Sequence, residues 1–132
     1  MAQTQITADN LAASFSLANA KLDADIWSTD RAWTGSQRST MVTDNDGNFD
    51  LNAGQNFKCT PAGNLTLTFS NHVSGQSGFV ILVNSGGHTI SLETYTKADA
   101  NLATTVTTAG TYIISYIDDG TCAYLTNSAV MV

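Results

Sequence analysis

The sequence predicts a mainly β protein, and three observations support this fold class. Residues 79–83 form an uninterrupted apolar run rich in β-branched side chains, which indicates a strand buried on both faces. Residues 65–69 alternate strictly between apolar side chains and threonine, as does a strand with one buried face. Clusters of Gly, Asn and Asp separate the apolar segments at short intervals. Such strands and turns predict an antiparallel β-sandwich, with a jelly roll as one form of it.

The N-terminal segment differs, because its apolar residues recur with a helical period. Residues 7–26 carry them at spacings of three and four, which predicts an amphipathic helix. The stripe consists of Leu11, Phe15, Ala18, Leu22 and Ile26. A lone helix of this length is marginal in water and needs a surface to lie on. Two interpretations stay open: the helix packs on its own sheet, or it is an arm that docks on a neighbouring subunit.

We therefore divide the chain into a short N-terminal helix or arm, residues 1–32, and a β-sandwich domain, residues 33–132. The connector at 27–38 contains both tryptophans and both arginines, which are residue types enriched at interface hot spots. Trp33 is expected to fill one end of the core, whereas Trp27 borders the arm. The predicted partner-binding residues are Phe15, Leu22, Trp27 and Arg31.

From residue 40 onward the pattern is one of short strands between turns. Strands are predicted at 41–43, 48–51, 57–60, 65–69, 79–83, 88–94, 103–107, 111–117 and 122–126. The Asn-Ser-Gly-Gly turn at 84–87 is expected to join its two flanking strands into a β-hairpin. This hairpin would form the centre of the sandwich sheet.

Composition and charge exclude several classes of partner. The 132 residues suit one domain, and only 12% of them are charged, about half the usual share. The net charge is −6 and no basic patch occurs, which argues against binding nucleic acid or an acidic membrane surface. No apolar run approaches the roughly 20 residues of a membrane span, and no secretion signal opens the chain. We expect synthesis in the cytoplasm and burial of surface in an assembly, since interface cores are poor in charge.

The densest group of oxygen ligands lies at residues 44–50, where three aspartates and two asparagines surround Gly47. Calcium loops use alternating ligands of this kind. The spacing departs from an EF-hand, however, because Gly47 is fourth in the loop and Gln55 occupies the twelfth position. The same residues also form turns without metal, since Asp and Asn side chains bind their own backbone. We expect such a turn, with a calcium loop as the alternative.

Signatures of catalysis are missing from the sequence. His72 and His88, the two histidines, fall at predicted strand ends or turns, and most carboxylates are expected to be solvated. The glycines of residues 75–78 and 86–87 fit neither a nucleophile elbow nor a phosphate-binding loop. Cys59 and Cys122 are expected to be free thiols, with a disulfide as the alternative. We therefore expect no enzyme, no cofactor and no metal.

Four short motifs occur in a distinctive order. They are Trp33-x-Gly35-x-Gln37-Arg38, Asn64-Leu65-Thr66-Leu67, Gly75-Gln76-Ser77-Gly78 before an apolar strand, and Ile114-Ser115-Tyr116. With these motifs, residues 33–132 resemble a β-rich module of tailed-bacteriophage virion proteins, which occurs in tail fibres and in small capsid-associated proteins. The N-terminal arm lies outside the resemblance.

The resemblance implies a structural protein of a phage particle that is oligomeric, often a homotrimer, and not an enzyme. One implied role is a capsid decoration (cement) protein on the virion surface, which binds the major capsid protein and stabilises the head. The other is a tail-fibre or receptor- and glycan-binding module, for which Tyr95, Tyr112, Tyr116 and Tyr124 offer rings that can stack on sugars. The small size of the chain favours the decoration role.

Overall fold

The computed structural model describes Ser36 and residues 38–131, and the described part is mainly β, as predicted. The first six strands are β1 (Met41–Thr43), β2 (Asn48–Asp50), β3 (Asn56–Cys59), β4 (Leu65–Ser70), β5 (Ser77–Asn84) and β6 (Ile90–Leu92). They are followed by β7 (Thr96–Ala98), the helix α1 (Leu102–Thr107), β8 (Gly110–Asp118) and β9 (Ala123–Asn127).

The first six strands form a two-sheet β-solenoid. Strands β1, β3 and β5 pair in parallel in a large sheet, and β2, β4 and β6 pair in parallel in a small sheet. The chain therefore crosses from one sheet to the other after each strand. The registers bring like residues side by side, with Phe49 next to Phe69 and Phe57 next to Val80. Successive coils consequently stack their apolar side chains into one continuous core.

The last third of the chain widens the large sheet to six strands, in the order β1-β3-β5-β8-β9-β7. Strand β8 runs antiparallel to β5, and β9 returns antiparallel to β8. Strand β7 lies at the far edge and pairs in parallel with β9. The helix α1 leads from β7 to β8, and its Leu102 and Val106 are fully buried.

An aromatic cluster joins the two sheets. The ring of Phe49 on β2 lies 5.2 Å, between centroids, from both Phe57 on β3 and Phe69 on β4. The rings of Phe69 and Tyr116, on β8, are 4.9 Å apart. All these contacts are tilted, a favourable arrangement for aromatic rings. The Tyr116 hydroxyl also donates a hydrogen bond of 2.8 Å to the Gln55 carbonyl, so its polar end is satisfied at the edge of the core.

A buried amide shapes the corner between β5 and β6. Asn84 is fully buried, and its Nδ2 donates to the carbonyls of His88, at 2.8 Å, and Val106, at 2.9 Å. Its Oδ1 accepts from the His88 amide at 2.8 Å. The chain leaves the large sheet at this corner and enters the small sheet, where Ile90 lies beside Leu65. The predicted hairpin between residues 79–83 and 88–94 is therefore wrong, because its two strands belong to different sheets.

The predicted antiparallel sandwich, including its jelly-roll form, is wrong in its strand pairing. Within the described residues, five of the seven strand pairs are parallel, and only β5–β8 and β8–β9 are antiparallel. Alternation of apolar and polar residues indicates which side of a strand meets the core. It does not indicate the partner strand or its direction, because both kinds of ladder use the same alternation of side chains.

The helix α1 replaces a strand predicted at residues 103–107. Its sequence, LATTVT, is rich in β-branched residues, which favour strands. Leu102 and Val106 are four residues apart and both fully buried, which is the spacing of one helix face. Their packing against β5, β6 and β9 outweighs the low helix propensity of the segment.

The predicted amphipathic helix at residues 7–26 lies outside the described residues, and so does the domain boundary placed between residues 32 and 33. Both stay predictions.

Candidate functional site

The most distinctive surface is the side of the large sheet that is turned away from the core, here called the outer face. On its two central strands the inward residues are fully buried, among them Val80, Leu82 and Ile114. The residues between them point outward, and all of these are uncharged. They are Ser77, Phe79, Ile81 and Val83 on β5, and Thr111, Ile113, Ser115 and Ile117 on β8. A solvated sheet face is normally polar, so this composition is unusual.

The outer face accounts for a disagreement between sequence and structure. The apolar run at 79–83 predicts a strand buried on both faces, but Phe79 is 54% exposed in the single chain. Only Val80 and Leu82 of this run are fully buried, so the prediction is wrong for the outer face. Continuous apolar strands are typical of sheets that are covered on both sides. The outer face thus has the composition of a covered surface.

A shallow apolar depression lies on the outer face. Its volume is about 360 Å³. Five side chains from four neighbouring strands line it: Met41, Asn56, Phe79, Ile81 and Ile113. The registers explain this arrangement, because Met41, Asn56 and Phe79 lie side by side across β1, β3 and β5, and Ile81 lies beside Ile113. Cross-strand neighbours on one face have close Cβ atoms, so the lining is continuous.

Farther along the outer face, Ile117 and Tyr124 are direct cross-strand neighbours. We call this pair the ridge, since both side chains are about half exposed, at 55% and 47%. The Tyr124 hydroxyl donates to Asp119 Oδ2 at 3.0 Å. Hydrogen bonds from backbone amides of its own turn, and from Tyr124, hold the pKa of Asp119 below its ordinary value. A carboxylate therefore stands beside the ridge, as does Lys97, the neighbour of Tyr124 on β7, whose amine donates to the Thr94 carbonyl. Lys58, beside Ile81 in the register, places an amine near the depression.

A histidine–carboxylate pair lies at the end of β8. Nδ1 of His72 is 2.6 Å from Oδ2 of Asp118, whose side chain is fully buried, while the His72 side chain is 19% exposed. The Gly120 amide donates to the other carboxylate oxygen at 2.8 Å. Asp118 is an exception to the expectation that most acidic residues are solvated. Such a pair can orient a catalytic base, but among the described residues no hydroxyl or thiol forms a hydrogen bond with His72.

The pair belongs to a structural junction formed by residues 75–78, the Gly-Gln-Ser-Gly motif. The Gly75 amide donates to the Asp118 carbonyl, and the Asp118 amide donates to the Gln76 carbonyl, both at 2.8 Å. Nδ1 of His72 reaches the same aspartate. The Gln76 side-chain amide donates to the carbonyls of Leu51 and Gly54, each at 2.9 Å. This motif therefore fastens the start of β5 to the preceding coil and to β8.

The acidic loop at residues 44–50 forms turns of the kind expected without metal. The Asp46 amide donates to Asp44 Oδ1 at 3.1 Å, and the Asn48 amide donates to Asp46 Oδ1 at 2.8 Å. Asp50 accepts from the Asn52 amide in the same way, at 2.9 Å. These bonds connect residues two apart, as in Asx-turns. In the part of the chain that the structure describes, no group of three or more His, Cys, Asp or Glu side chains is arranged to hold a metal ion.

Both cysteines are free thiols. Cys59 is fully buried on β3, and burial, together with the nearby negative charges of Asp44 and Asp46, raises the pKa of its thiol to about 11. Cys122 is half-buried and lies in the turn before β9. Their different exposure distinguishes the two thiols chemically.

The predicted partner-binding residues Phe15, Leu22, Trp27 and Arg31 lie outside the described residues and stay predictions. The sequence interpretation did not identify the outer face as a contact surface. The sequence did contain one signal for it. Residues 79–83 and 111–117 carry apolar side chains at both odd and even positions, so both faces of each strand are partly apolar. The sequence offers no comparable signal for the His72–Asp118 pair, since its members are 46 residues apart.

No helix in the described part of the chain is long and apolar enough to cross a membrane. Comparison of the chain with protein-family models, with curated proteins and with solved structures finds no match in any of the three.

Proposed function

We propose that this chain is a structural protein of a tailed-bacteriophage particle, and that it acts as a capsid decoration protein. In this role it binds the major capsid protein on the virion surface, stabilises the head and associates with further copies of itself, with a homotrimer as the expected form. It acts through binding and not through catalysis. The identity of the particle rests on the motifs of residues 33–132 that resemble phage virion modules.

The observation that carries a structural role is the outer face. Its two central strands present no charged side chain, and Phe79, Ile117, Tyr124 and Met41 are each about half exposed. Contiguous exposed apolar patches of this kind mark sites of protein association. A low charged content of 12% also suits a protein that buries much of its surface, since charge is depleted at the centres of interfaces.

The proposed capsid contact uses the N-terminal residues singled out in the sequence: Phe15, Leu22, Trp27 and Arg31. Undecorated phage shells are mixed with the full-length chain, and occupancy is measured by cosedimentation. We expect Trp27→Ala combined with Arg31→Glu to lower the affinity for shells about tenfold or more, because truncation of a Trp or Arg hot spot costs about 2 kcal/mol or more.

Asn101→Ala serves as the matched control, because Asn101 is exposed and its side chain makes no cap hydrogen bond. This variant is expected to bind shells as the unmodified chain does. Shells that bind no unmodified chain would overturn the decoration role. Equal occupancy of the Trp27/Arg31 variant and the control would overturn the role of the arm.

The open end of the solenoid favours a second function, a module of a tail fibre. Within the described residues β1 and β2 are edge strands of their sheets, so each has a free row of backbone groups on which a further coil can stack. Tyr95 is 52% and Tyr124 47% exposed, and such rings can stack on sugars, whereas Tyr112 and Tyr116 are buried in the core. Immunogold labelling of virions discriminates the two functions: label on the head supports decoration, and label on the tail supports the fibre.

A further inference from the structure

We infer that the outer face binds the outer face of a second copy of this chain, with the ridge of each copy seated in the depression of the other. The inference rests on the proposed function for the expectation that copies associate, but a two-fold contact of this kind closes with two copies and gives a dimer in place of the expected homotrimer. It adds which surface and which residues form the contact, and which part of one copy meets which part of the other. The resemblance specifies none of these.

The size of the outer face is sufficient for such a contact. Six strands spaced about 4.8 Å apart span about 24 Å, and the nine residues of β8 extend about 30 Å. Because the other strands are shorter, the usable footprint is roughly 500 Å² per copy, or roughly 1,000 Å² in total. Specific interfaces begin at roughly 1,000 Å². Two such faces can pack about 10 Å apart, as sheets do in a β-sandwich.

The shape of the outer face is complementary to itself. Ile113 lines the depression. Ile117, which belongs to the ridge, lies four residues farther along β8. These positions are about 13 Å apart along a strand. A rotation that brings the ridge of one copy over the depression of another places apolar side chains into an apolar hollow of about 360 Å³. A self-complementary patch of this kind is what an isologous contact requires.

Three charged side chains stand at the border of the face: Lys58, Lys97 and Asp119. Asp119 stands beside the ridge, since its Oδ2 accepts from Tyr124. Lys58 stands beside the depression, next to Ile81. When the ridge of one copy enters the depression of the other, the carboxylate of the first approaches the amine of the second. The amine of Lys97, the neighbour of Tyr124 on β7, donates to the Thr94 carbonyl, so Asp119 is the charge beside the ridge that can pair with Lys58, and this attraction favours the register.

The test is the oligomeric state of the full-length chain, measured by sedimentation equilibrium without any other phage protein. The unmodified chain is expected to be dimeric at micromolar concentration, and a trimer would overturn the two-fold contact. Ile117→Arg places a charge at the centre of the contact and should raise the dissociation constant at least about a hundredfold, since uncompensated burial of charge is costly. Lys58→Glu should raise it about threefold to tenfold, because it replaces an attraction with a repulsion.

Thr66→Arg is the matched control. Thr66 is exposed and lies on β4 of the small sheet, on the side turned away from the core, so the oligomer should be retained. Far-UV circular dichroism verifies that all variants are folded. A monomeric unmodified chain would overturn the inference, and so would an Ile117→Arg variant that associates as the control does.

Shell binding is measured separately, so the two proposals fail independently. Loss of self-association in Ile117→Arg supports the inference even when no chain binds shells. If the unmodified chain is monomeric and Ile117→Arg loses shell occupancy, the outer face binds the capsid protein instead, and the inference is wrong.

Discussion

Replacing Asn84 by alanine should destabilise the fold by about 2–4 kcal/mol, although the substitution removes only a small side chain. Asn84 is fully buried, and its side-chain amide bonds the amide and the carbonyl of His88 and the carbonyl of Val106, with a longer bond of 3.4 Å to the Thr107 carbonyl. These bonds hold the corner at which the chain passes from the large sheet to the small sheet. They also fasten the end of α1 to that corner.

The predicted loss of stability follows from the backbone groups that lose their hydrogen bonds when Asn84 is replaced by alanine. The Val106 carbonyl is bonded in a buried position, and an unsatisfied buried group costs about 1–3 kcal/mol. The two groups of His88 are bonded in partly buried positions, where water can replace much of the loss, so about 0.5 kcal/mol is assigned to each. The sum, about 2–4 kcal/mol, is a large share of the roughly 5–15 kcal/mol by which a domain is stable.

Urea unfolding followed by far-UV circular dichroism measures this loss. Asn101→Ala is the control, since Asn101 is exposed, and its effect should stay within about 0.5 kcal/mol. Asn84→Asp adds a test by pH: an ionised carboxylate cannot donate to the two carbonyls, so its pKa in the folded state is raised above the unfolded value. Its stability should fall as pH rises and recover in acid. If Asn84→Ala costs less than about 1 kcal/mol, the amide does not hold the corner.

Two further predictions concern the core and its edge. Gly78→Ala would place a Cβ 1.8 Å from the Gln55 carbonyl oxygen, so the backbone must shift and stability should fall by about 1–3 kcal/mol. Gly63→Ala, which meets nothing within 4 Å, should lose none, and equal melting temperatures for the two variants would contradict the packing described. Iodoacetamide at mildly alkaline pH should modify Cys122 but not Cys59 in the folded chain, because burial raises the pKa of Cys59 to about 11. Mass spectrometry identifies the modified thiol, and fast modification of Cys59 would show that β3 opens readily.

The candidate site was predictable only in part. The sequence marks residues 79–83 as apolar on both faces, and this is the property that makes the outer face a contact surface. It does not show that Met41, Phe79 and Ile113 line one depression, because that proximity depends on the order β1-β3-β5-β8 in the sheet. The ridge likewise exists only because β9 returns beside β8 and brings Tyr124 next to Ile117.

The motif at residues 75–78 could be singled out from the sequence, but the sequence did not show what each of its glycines does in the fold. Gly75 is recognisable as a turn residue and has a positive φ of 84°. Gly78, however, is needed because the Gln55 carbonyl approaches too closely for any side chain. That contact joins residues 23 positions apart, and no local pattern reports it.

By itself, the sequence determined the class of structure and the approximate places of most strands and turns. Strands β1 to β6, β8 and β9 overlap the segments predicted for them, because apolar alternation and turn residues act locally. The tertiary structure alone decided that the strands coil in parallel between two sheets and that residues 102–107 form a helix. The physical reason is that pairing partners, and the packing that overrides weak local propensities, depend on contacts between residues far apart in the chain.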